Sequence, residues 1–505
     1  MTEQMIEHLT LLTKQKHYRK DNRYGYETGR SPFIDYILED KESYKPLSSS
    51  ICRFTGKPWI DRDNDFLIGE SGGVLMKIDF IFIGTEIFSR VADFYEKHGC
   101  YCLEPDDSPN AVKFWQREMD RRVKGVQAYC KLYIKDIPAY LAAKSDAERK
   151  ALLHKVRITG DHYNYLNYGR IERAPNEKER KQLDKEGRFK VNTVEGFPRF
   201  WDGDYWNFKI DELIANNSCN LCKAKARRKG FSYKRGSQAA NTINANKNVT
   251  VTLAADQMDY LTEKGATSYM VKVNLDWYED KTYWRRGYLS ENFDKGIELG
   301  YKKSKEGQKA FGFRSKLLSV AIGKNESAAV GKKAIETDFE EAGKCPNLQK
   351  ALDVMMSNSE SGAMRIGTIR VYGTGGTKGA NWEAFSNCFY NPGKNDMLPM
   401  ENIWDANSRH AVCGFFFPQI WDYEPFIEDG NSLLFASWKD DYDKKRGAEK
   451  EKDAGEYNIY VGQRANSPNE AFTNTQENIF HSPELTNHIN AIKYDKSNHF
   501  YEDGW

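Results

Sequence analysis

The residues between 225 and 234, KARRKGFSYK, combine a glycine, a hydroxyl and several cations in one short stretch. A standard phosphate-binding loop uses backbone amides to hold phosphates, a lysine to reach the outer ones and a hydroxyl to bind Mg²⁺. Gly230 and Ser232 fit the last glycine and the hydroxyl, but Phe231 occupies the position of the lysine. A cation would have to come from upstream, where the candidates are Lys225, Arg227 and Arg228. Taken alone, the stretch is more typical of a basic surface turn.

A second glycine-rich stretch, GTGGTKG at 373–379, directly follows a predicted strand. Glycines let a backbone approach phosphate closely, and Lys378 is at hand as a cation. No hydroxyl follows this lysine, however, and the next residues predict the start of a helix. A glycine turn that leaves a strand explains the same pattern.

Three acidic residues, Asp338, Glu340 and Glu341, stand close together in IETDFEEAGKCPN, at the predicted end of a strand. A nucleoside triphosphatase needs one carboxylate for the Mg²⁺ shell and one to activate water. Adjacent acids at a strand end can supply both, although an ordinary charged loop would contain the same residues.

The order of these three stretches favours a nucleotide-binding fold over three unrelated loops. A basic loop, then paired acids at a strand end, then a glycine turn after the next strand is the layout of an additional-strand P-loop ATPase. Strands alternate with helical segments after residue 196, which predicts a mainly parallel sheet covered on both faces. The fold class expected is therefore α/β, with an N-terminal α+β accessory region.

The same residues resemble the large terminase subunit of tailed bacteriophages, the motor that pumps DNA into the capsid. KARRKGFSYK resembles the deviant phosphate loop of these proteins, in which the lysine lies at the start and an aromatic residue precedes the serine. The resemblance implies that Lys225 binds phosphate, that Gly230 is the loop glycine and that Ser232 supplies the Mg²⁺ hydroxyl. Arg228 resembles the arginine that terminases place before that glycine.

DFEEAGKCPNL and GTGG are similar to two further terminase motifs. By this resemblance Glu340 is the acid on the metal side and Glu341 is the catalytic glutamate. The strand before them is less apolar than expected, so Asp338 stays open as the metal ligand. GTGG at 373–376 resembles the motif that couples hydrolysis to movement, with Thr374 as γ-phosphate sensor. Its glycines are Gly375 and Gly376.

Aromatic residues precede the phosphate loop in FPRFWDGDYWNF, residues 197–208. In the terminase family the corresponding piece lies near the adenine, which implies that Phe200, Tyr205 and Trp206 contact the base. The segments ITGDHYNYLNYGRI and NSPNEAF complete a resemblance that spans roughly 155–480. The overall style resembles terminases of crAss-like and other Bacteroidetes phages.

The resemblance implies an ATP-driven packaging motor that uses ATP and Mg²⁺ to move double-stranded DNA into a procapsid. Its implied partners are the portal protein, the small terminase subunit and further copies of itself in a ring. Terminases normally carry a second, ribonuclease H-like nuclease domain. We expect residues 481–505 to be the start of a linker to a missing nuclease domain, and no nuclease activity from this chain.

Composition limits the other possibilities. The 505 residues carry a formal net charge of only +2, so any nucleic-acid surface must be local. No stretch approaches the roughly 18 apolar residues that a membrane helix needs, and the N-terminus lacks a signal peptide, which predicts the host cytoplasm and no membrane partner. The CxxC at Cys219–Cys222 has no second pair at the spacing of a structural zinc site.

The spacing of apolar residues along the chain predicts the strands and helices that must position these residues. We expect an accessory region at 1–150 and the ATPase domain at 151–480. Strands are predicted at 220–226, 248–255, 316–322, 364–373 and 410–418. Helices are predicted at 111–150, 232–246 and 256–278. The mixed-charge run 439–453 has no apolar face and predicts an exposed helix or a mobile insertion.

Two other functions remain open. A helicase-like, nucleic-acid-dependent ATPase would need further motifs in a second motor domain, and none is recognisable after residue 420. A non-catalytic phage protein, structural or nucleic-acid-binding, would need only the basic loop. Nucleotide binding separates this last class from the two ATPases.

Overall fold

The computed structural model describes residues 45–46 and 91–472, except for several internal gaps. The gaps are 135–138, 140–141, 176, 218, 294–295, 304–308, 324–332, 362–363, 366, 376–381, 403, 406–411, 425, 429–430, 433–436, 438–439 and 451–453. Most of the predicted accessory region, and the whole of the predicted linker at 481–505, lie outside the described residues.

The helices are named here in chain order. They are α1 (Val91–His98), α2 (Pro109–Lys124), α3 (Asp146–Leu152), α4 (Gly160–Tyr168), α5 (Glu177–Lys185), α6 (Asp202–Asn217), α7 (Phe231–Ala245), α8 (Asp259–Thr262), α9 (Thr267–Lys281), α10 (Leu348–Asn358), α11 (Trp382–Tyr390), α12 (Gly447–Lys450), α13 (Ala454–Gln463) and α14 (Pro468–Ala471). Within the described part of the chain, no helix has the length and apolar character to cross a membrane.

The strands are named in the same way. They are β1 (Lys45–Pro46), β2 (Val126–Ile134), β3 (Leu153–Ile158), β4 (Ile171–Arg173), β5 (Val194–Gly196), β6 (Leu221–Lys225), β7 (Thr250–Ala255), β8 (Tyr288–Asn292), β9 (Gly296–Leu299), β10 (Tyr301–Lys302), β11 (Ala310–Phe311), β12 (Lys316–Ala321), β13 (Glu336–Phe339), β14 (Glu360–Ser361), β15 (Met364–Arg365), β16 (Thr368–Thr374), β17 (Met400–Glu401), β18 (Val412–Cys413), β19 (Phe415–Phe417), β20 (Ile427–Glu428) and β21 (Asn431–Ser432).

One eight-stranded sheet organises the molecule, with the order β19-β6-β16-β13-β7-β12-β9-β8. The six strands from β19 to β12 run parallel to their neighbours, and β9 and β8 extend the sheet as an antiparallel edge. Strand β16 is inserted between β6, which leads into the basic loop, and β13, which leads to the paired acids. The predicted α/β class with an additional strand is therefore confirmed.

The central strands read as nearly continuous buried runs, as expected for a sheet covered on both faces. Every residue of β6 and β16 is buried, and so are five of the six residues of β7. Helix α7 contacts α9, α4 and β7, whereas α11 contacts β6. These helices supply the two layers that remove the apolar strands from water.

Helix α2 belongs to the same core as the sheet, although it precedes residue 150. The buried Arg122 donates to Asn241 Oδ1 at 2.7 Å and to Asn244 Oδ1 at 3.0 Å, both on α7. Its guanidinium also lies 4.1 Å from the ring centroid of Trp284. The side chain of Trp115 is part of the common hydrophobic cluster. Residues 91–124 therefore pack on the sheet-covering helices.

A buried network of charges connects α7 to the middle of the sheet. Arg235 donates to Asp338 Oδ2 at 2.8 Å and to Glu336, and Arg370 lies 3.5 Å from Glu336 and 3.6 Å from Asp338. Arg370 also lies 3.2 Å from Asp211. Lys223 extends the network to Asp211 at 2.6 Å. Three cations and three carboxylates thus balance one another in the interior, where an unpaired charge would be very costly.

The prediction of continuous helix over 111–150 is wrong. Helix α2 ends at Lys124 because Gly125 adopts φ +82°, and the next residues form β2. The sequence VQAYCKLYI contains β-branched and aromatic residues that favour a strand. Further on, Ser145 caps α3 as its sequence indicates, because its Oγ accepts from the amide of Glu148 at 3.2 Å.

Three other segments differ from the pattern-based expectation. The helix predicted over 256–278 is divided into α8 and α9, with Gly265 at φ +86° between them. The strands predicted at 364–373 and 410–418 are each divided in two. The charged run 439–453 is not simply exposed, since the buried Arg446 donates to Asp441 at 2.8 Å and to Glu470 at 2.7 Å. Internal ion pairing, which a search for an apolar face does not detect, holds this segment on the domain.

We expect Arg235→Met to destabilise the fold by about 3–5 kcal/mol, because Asp338 and Glu336 lose one of the two arginines that compensate their charge in the interior. Arg188→Met is the matched control, since Arg188 is 59% exposed and pairs only loosely with Glu186. Urea unfolding of both variants measures the difference. Equal midpoints for the two variants would show that the network contributes nothing to stability.

Candidate functional site

The parallel strands bring the three candidate stretches together at one edge of the sheet. Lys225 is the last residue of β6, and Thr374, its register partner, is the last residue of β16. Glu340 and Glu341 directly follow β13, which pairs with the other side of β16. Because parallel strands end at the same edge, residues separated by more than a hundred positions become neighbours.

Lys225 lies at the centre of this edge. Its Nζ donates to Glu341 Oε1 at 3.1 Å and to Thr374 Oγ1 at 3.1 Å. The side chain is buried, and its ammonium group also lies 5.7 Å from the centroid of Phe231. One lysine therefore contacts both Glu341 of the acidic stretch and Thr374 of the glycine turn.

The loop between β6 and α7 presents backbone amides at a helix N-terminus. Gly230 precedes α7 with φ +65°, a left-handed conformation that glycine adopts without strain, and no side chain caps the first turn of α7. Arg228 also has a positive φ, +64°. Uncapped N–H groups and the positive end of the helix dipole form a site suited to an anion.

The other cations of the loop have different positions. Lys229 is buried and donates to the carbonyl oxygens of Gln419 and Trp421 at 2.7 and 2.6 Å, and burial lowers its pKa to about 7. Arg227 is exposed and donates to the Gln463 side chain at 2.8 Å. Arg228 is exposed and lines the neighbouring cavity. Lys229 therefore anchors the loop, and Lys225 is the cation placed among the acids.

Ser232 and Glu340 form a direct hydrogen bond. Ser232 Oγ donates to Glu340 Oε1 at 2.7 Å, and Thr267, the first residue of α9, donates to the other carboxylate oxygen. Burial raises the pKa of Glu340 to about 7, although these two hydroxyls act in the opposite direction. Thr267 was not found from the sequence, because no local pattern connects the start of α9 with a loop 35 residues earlier.

Glu341 differs from its neighbour in both backbone and charge environment. It adopts φ +49°, which is uncommon outside glycine and asparagine, and it precedes a short 3₁₀ turn at Ala342–Lys344. Burial alone would raise the pKa of its carboxyl, but Lys225 and Lys344 outweigh that effect and lower it. Glu341 is therefore held ionised, and its conformation is fixed partly by Lys225.

Asp338 is not brought to Ser232. It lies two residues before Glu340, on β13, where it is completely buried and contacts Arg235 of the internal charge network. Two arginines within 3.6 Å already compensate its charge. The geometry therefore favours Glu340 over Asp338 as the carboxylate beside the hydroxyl.

A cavity of about 510 Å³ opens beside the loop. Its wall includes the side chains of Tyr165, Ile171, Pro198, Trp201 and Tyr233 together with Arg228 and Gly230. Buried charges form another part of the wall, where Lys234 pairs with Asp204 and lies 3.7 Å from Asp422. The volume and the mixture of aromatic and polar groups are those of a small-molecule site.

The aromatic residues predicted to contact adenine lie in the core instead of on this wall. Phe200 stacks on His162 with ring centroids 5.4 Å apart, and Tyr205 packs edge-on against Trp206. All three predicted residues are buried. The structure places Trp201, their neighbour in the same stretch, at the cavity. The FWDGDYW pattern locates the segment, but it does not distinguish which ring faces outward.

The glycine turn after β16 is described as far as Gly375, and Gly376 lies outside the described residues. Gly375 packs closely on α14, since an added Cβ would lie 2.1 Å from the carbonyl oxygen of Ala471. The turn therefore touches Lys225 through Thr374 on one side and α14 through Gly375 on the other. The competing phosphate-loop interpretation of 373–379 depends on Lys378, which is also outside the described residues.

The donor set fits a nucleotide bound with a hard divalent cation. Mg²⁺ prefers oxygen ligands such as the Ser232 hydroxyl and the Glu340 carboxylate. The uncapped amides of α7 and the Lys225 ammonium are suited to phosphate. The adjacent cavity has room for a base and a sugar.

No protein-family model matches the chain, and no curated protein matches it. Among solved structures, it is similar to the large terminase ATPase domain of Thermus phage P74-26, with 11% identity and a TM-score of 0.32 over 58% of this chain and 99% of that one. The large terminase of bacteriophage HK97 aligns with 13% identity and a TM-score of 0.32, over 54% of this chain and 51% of that one. The large terminase of a thermophilic bacteriophage in complex with ADP aligns with 10% identity and a TM-score of 0.22, over 32% of this chain and 35% of that one.

Gly375→Ala tests the contact between the glycine turn and α14. The added methyl group must displace the Ala471 backbone, so we expect a loss of about 1–3 kcal/mol in the free energy of unfolding. Gly393→Ala is the matched control, because no atom lies within 4 Å of its added Cβ. Urea unfolding compares the two, and a Gly375→Ala variant as stable as the control would contradict the close packing.

Proposed function

We propose that the chain is the ATPase part of a DNA-packaging motor, which hydrolyses ATP to move double-stranded phage DNA into a procapsid. One observation carries the proposal. Lys225 contacts both Glu341 and Thr374, while Ser232 contacts Glu340 beside them. These are the contacts that a phosphate loop, a pair of catalytic acids and a γ-phosphate sensor need at the edge of an additional-strand sheet.

In the proposed reaction, the amides of the 226–230 loop and Lys225 bind the β- and γ-phosphates. Mg²⁺, when bound, neutralises charge that develops on the phosphates. Ser232 and Glu340 would hold it, directly or through water. The base and sugar occupy the cavity lined by Trp201 and Tyr233, beside Arg228.

The ion pair between Lys225 and Glu341 gives nucleotide binding a role in catalysis. A γ-phosphate competes with Glu341 for the ammonium group, because both are anions that seek the same buried cation. Once released, Glu341 is free to accept a proton from the attacking water. Without nucleotide, the base is held by the residue that later binds the phosphate, which keeps the empty site inactive.

Thr374 completes the proposed cycle. It shares Lys225 with Glu341, so phosphate loss changes the contacts at the end of β16 and at Gly375. Movement of this turn would act on the DNA-gripping surface. The portal protein, the small terminase subunit and a ring of further copies are the partners that the terminase resemblance implies, with residues 151–480 as the motor domain and residues 1–150 as an accessory region.

Two alternatives lead to different observations. A helicase-like ATPase would hydrolyse ATP but would unwind duplex DNA. A non-catalytic phage protein would bind neither ATP nor an analogue with Mg²⁺. The partly buried, cation-compensated Glu341 favours an ATPase over the non-catalytic alternative, because a surface turn has no need of an ionised glutamate at φ +49°.

Glu341→Gln tests the assignment of the base. We expect ATP turnover to fall by about a hundredfold or more, since the general base is lost. Binding of a non-hydrolysable ATP analogue with Mg²⁺ should remain, as measured by thermal shift. Glu383→Gln on α11 is an exposed control and should keep normal turnover.

Two results would contradict the proposal. Normal turnover in Glu341→Gln would remove this residue from the role of base. A wild-type protein that shows no thermal shift with the analogue and Mg²⁺ would favour the non-catalytic alternative.

A further inference from the structure

We infer that strands β10 and β11, with the two lysines that flank them and the adjoining residues around Phe313, form a surface that binds the phosphate backbone of double-stranded DNA. This basic surface is defined by Lys247, Arg286, Lys303, Lys309, Phe311 and Phe313. It lies far from the nucleotide-binding edge, and it is not part of the motifs found in the sequence. The proposed packaging function supplies the identity of the polymer, whereas the surface itself follows from the geometry.

One part of the surface is an aromatic pair on the two short strands, with a lysine next to each strand. Tyr301 pairs with Phe311 across the two strands, and their rings stack with centroids 6.1 Å apart. Lys303 Nζ lies 4.8 Å and Lys309 Nζ 5.5 Å from the Phe311 centroid. Tyr301 is 50% exposed. The two strands therefore display charge and an aromatic face together.

The base of the surface repeats this arrangement two residues further along the chain. Arg286 lies 3.8 Å and Lys247 5.6 Å from the ring centroid of Phe313. The carbonyl of Phe313 accepts from the Asn248 amide at 2.9 Å, which holds the two segments together. Four cations thus lie near two aromatic rings that stand two positions apart, and contact with the rings favours an extended placement of the long basic side chains.

Among the described residues, the lysines of this surface differ from their neighbours in ion pairing. Arg314 and Lys316, which lie next to it in sequence, both pair with Glu298 at 2.6 and 3.1 Å. By contrast, none of the residues that the structure describes forms an ion pair with Lys247, Lys303 or Lys309. In a chain whose formal net charge is +2, the described residues of this surface are a local concentration of positive charge.

The position of the surface suits a long polyanion. Lys247 precedes β7 and Phe313 precedes β12, whereas the nucleotide site lies where β6, β13 and β16 end. The two sites therefore lie at opposite ends of the parallel strands. A strand of six residues is roughly 17 Å long, which gives the separation along the strand direction. Duplex DNA carries one negative charge per about 1.7 Å, so it engages several dispersed lysines at once, which a small anion cannot do.

The test is the salt dependence of duplex binding by the variant Lys247→Ala/Lys303→Ala/Lys309→Ala. Fluorescence anisotropy with a labelled duplex of about 30 base pairs, measured across a salt series, gives the slope of log affinity against log salt. We expect this slope to fall by about 3, and the affinity at moderate salt to fall by about tenfold or more, because each lysine contacts one phosphate. The matched control removes two exposed lysines from α5, Lys181→Ala/Lys185→Ala, and should bind as the wild type does.

The possible outcomes separate the surface from the proposed motor. Wild-type binding with an unchanged slope in the triple variant overturns the surface alone. Equal losses in the α5 control, or wild-type binding to polyglutamate as tight as to DNA, also overturn it, since the effect would be general charge attraction. ATP hydrolysis measured without DNA should be normal in the triple variant, and its absence in the wild type would count against the motor and not against the surface.

Discussion

The buried charge network between α7 and the sheet is the constraint on which the candidate site depends. Arg235 lies one helical turn after Ser232 on α7, and its carboxylate partners lie on β13, directly before Glu340. Because these charges compensate one another only in a single arrangement, they fix how α7 sits against β13. That placement sets the distance between Ser232 and Glu340. The internal charges are therefore part of the positioning of the site, even though none of them faces the cavity.

Lys225, at the end of β6, connects its own loop with two segments that are distant in the sequence, the acidic stretch and the glycine turn. Its ammonium group is shared between an acid, a threonine and, in the proposed function, a phosphate. The two hydrogen bonds hold the ammonium group of Lys225 in one position. In the proposed function, an incoming phosphate competes with Glu341 for this group. The loop lysine stands at the start of its loop, at the end of β6, and this position makes the contact with β16 possible.

The sequence predicted the sheet and the order of its functional loops well, because buried parallel strands and glycine turns have strong local patterns. The contact of Phe200, Tyr205 and Trp206 with adenine stays a prediction: these rings lie in the core, and their neighbour Trp201 lines the cavity. In a helix start that is buried on several sides, periodicity does not identify the outward residue. The prediction missed strand β2 because it continued the helix past Gly125, although the residues after this glycine are rich in β-branched and aromatic types. The role of Asp338 in an internal network also required the structure, since its arginine partners are distant in sequence.

The absence of a side chain at Gly375 has a mechanical consequence. With the Ala471 backbone in direct contact, Gly375 cannot move towards α14 unless α14 moves as well. Helix α14 is in turn bound by Arg446 through Glu470. The hydrogen bond of Lys225 to Thr374, the contact of Gly375 with Ala471 and the ion pair of Glu470 with Arg446 therefore form one continuous series of contacts from the end of β6 to the last described helix.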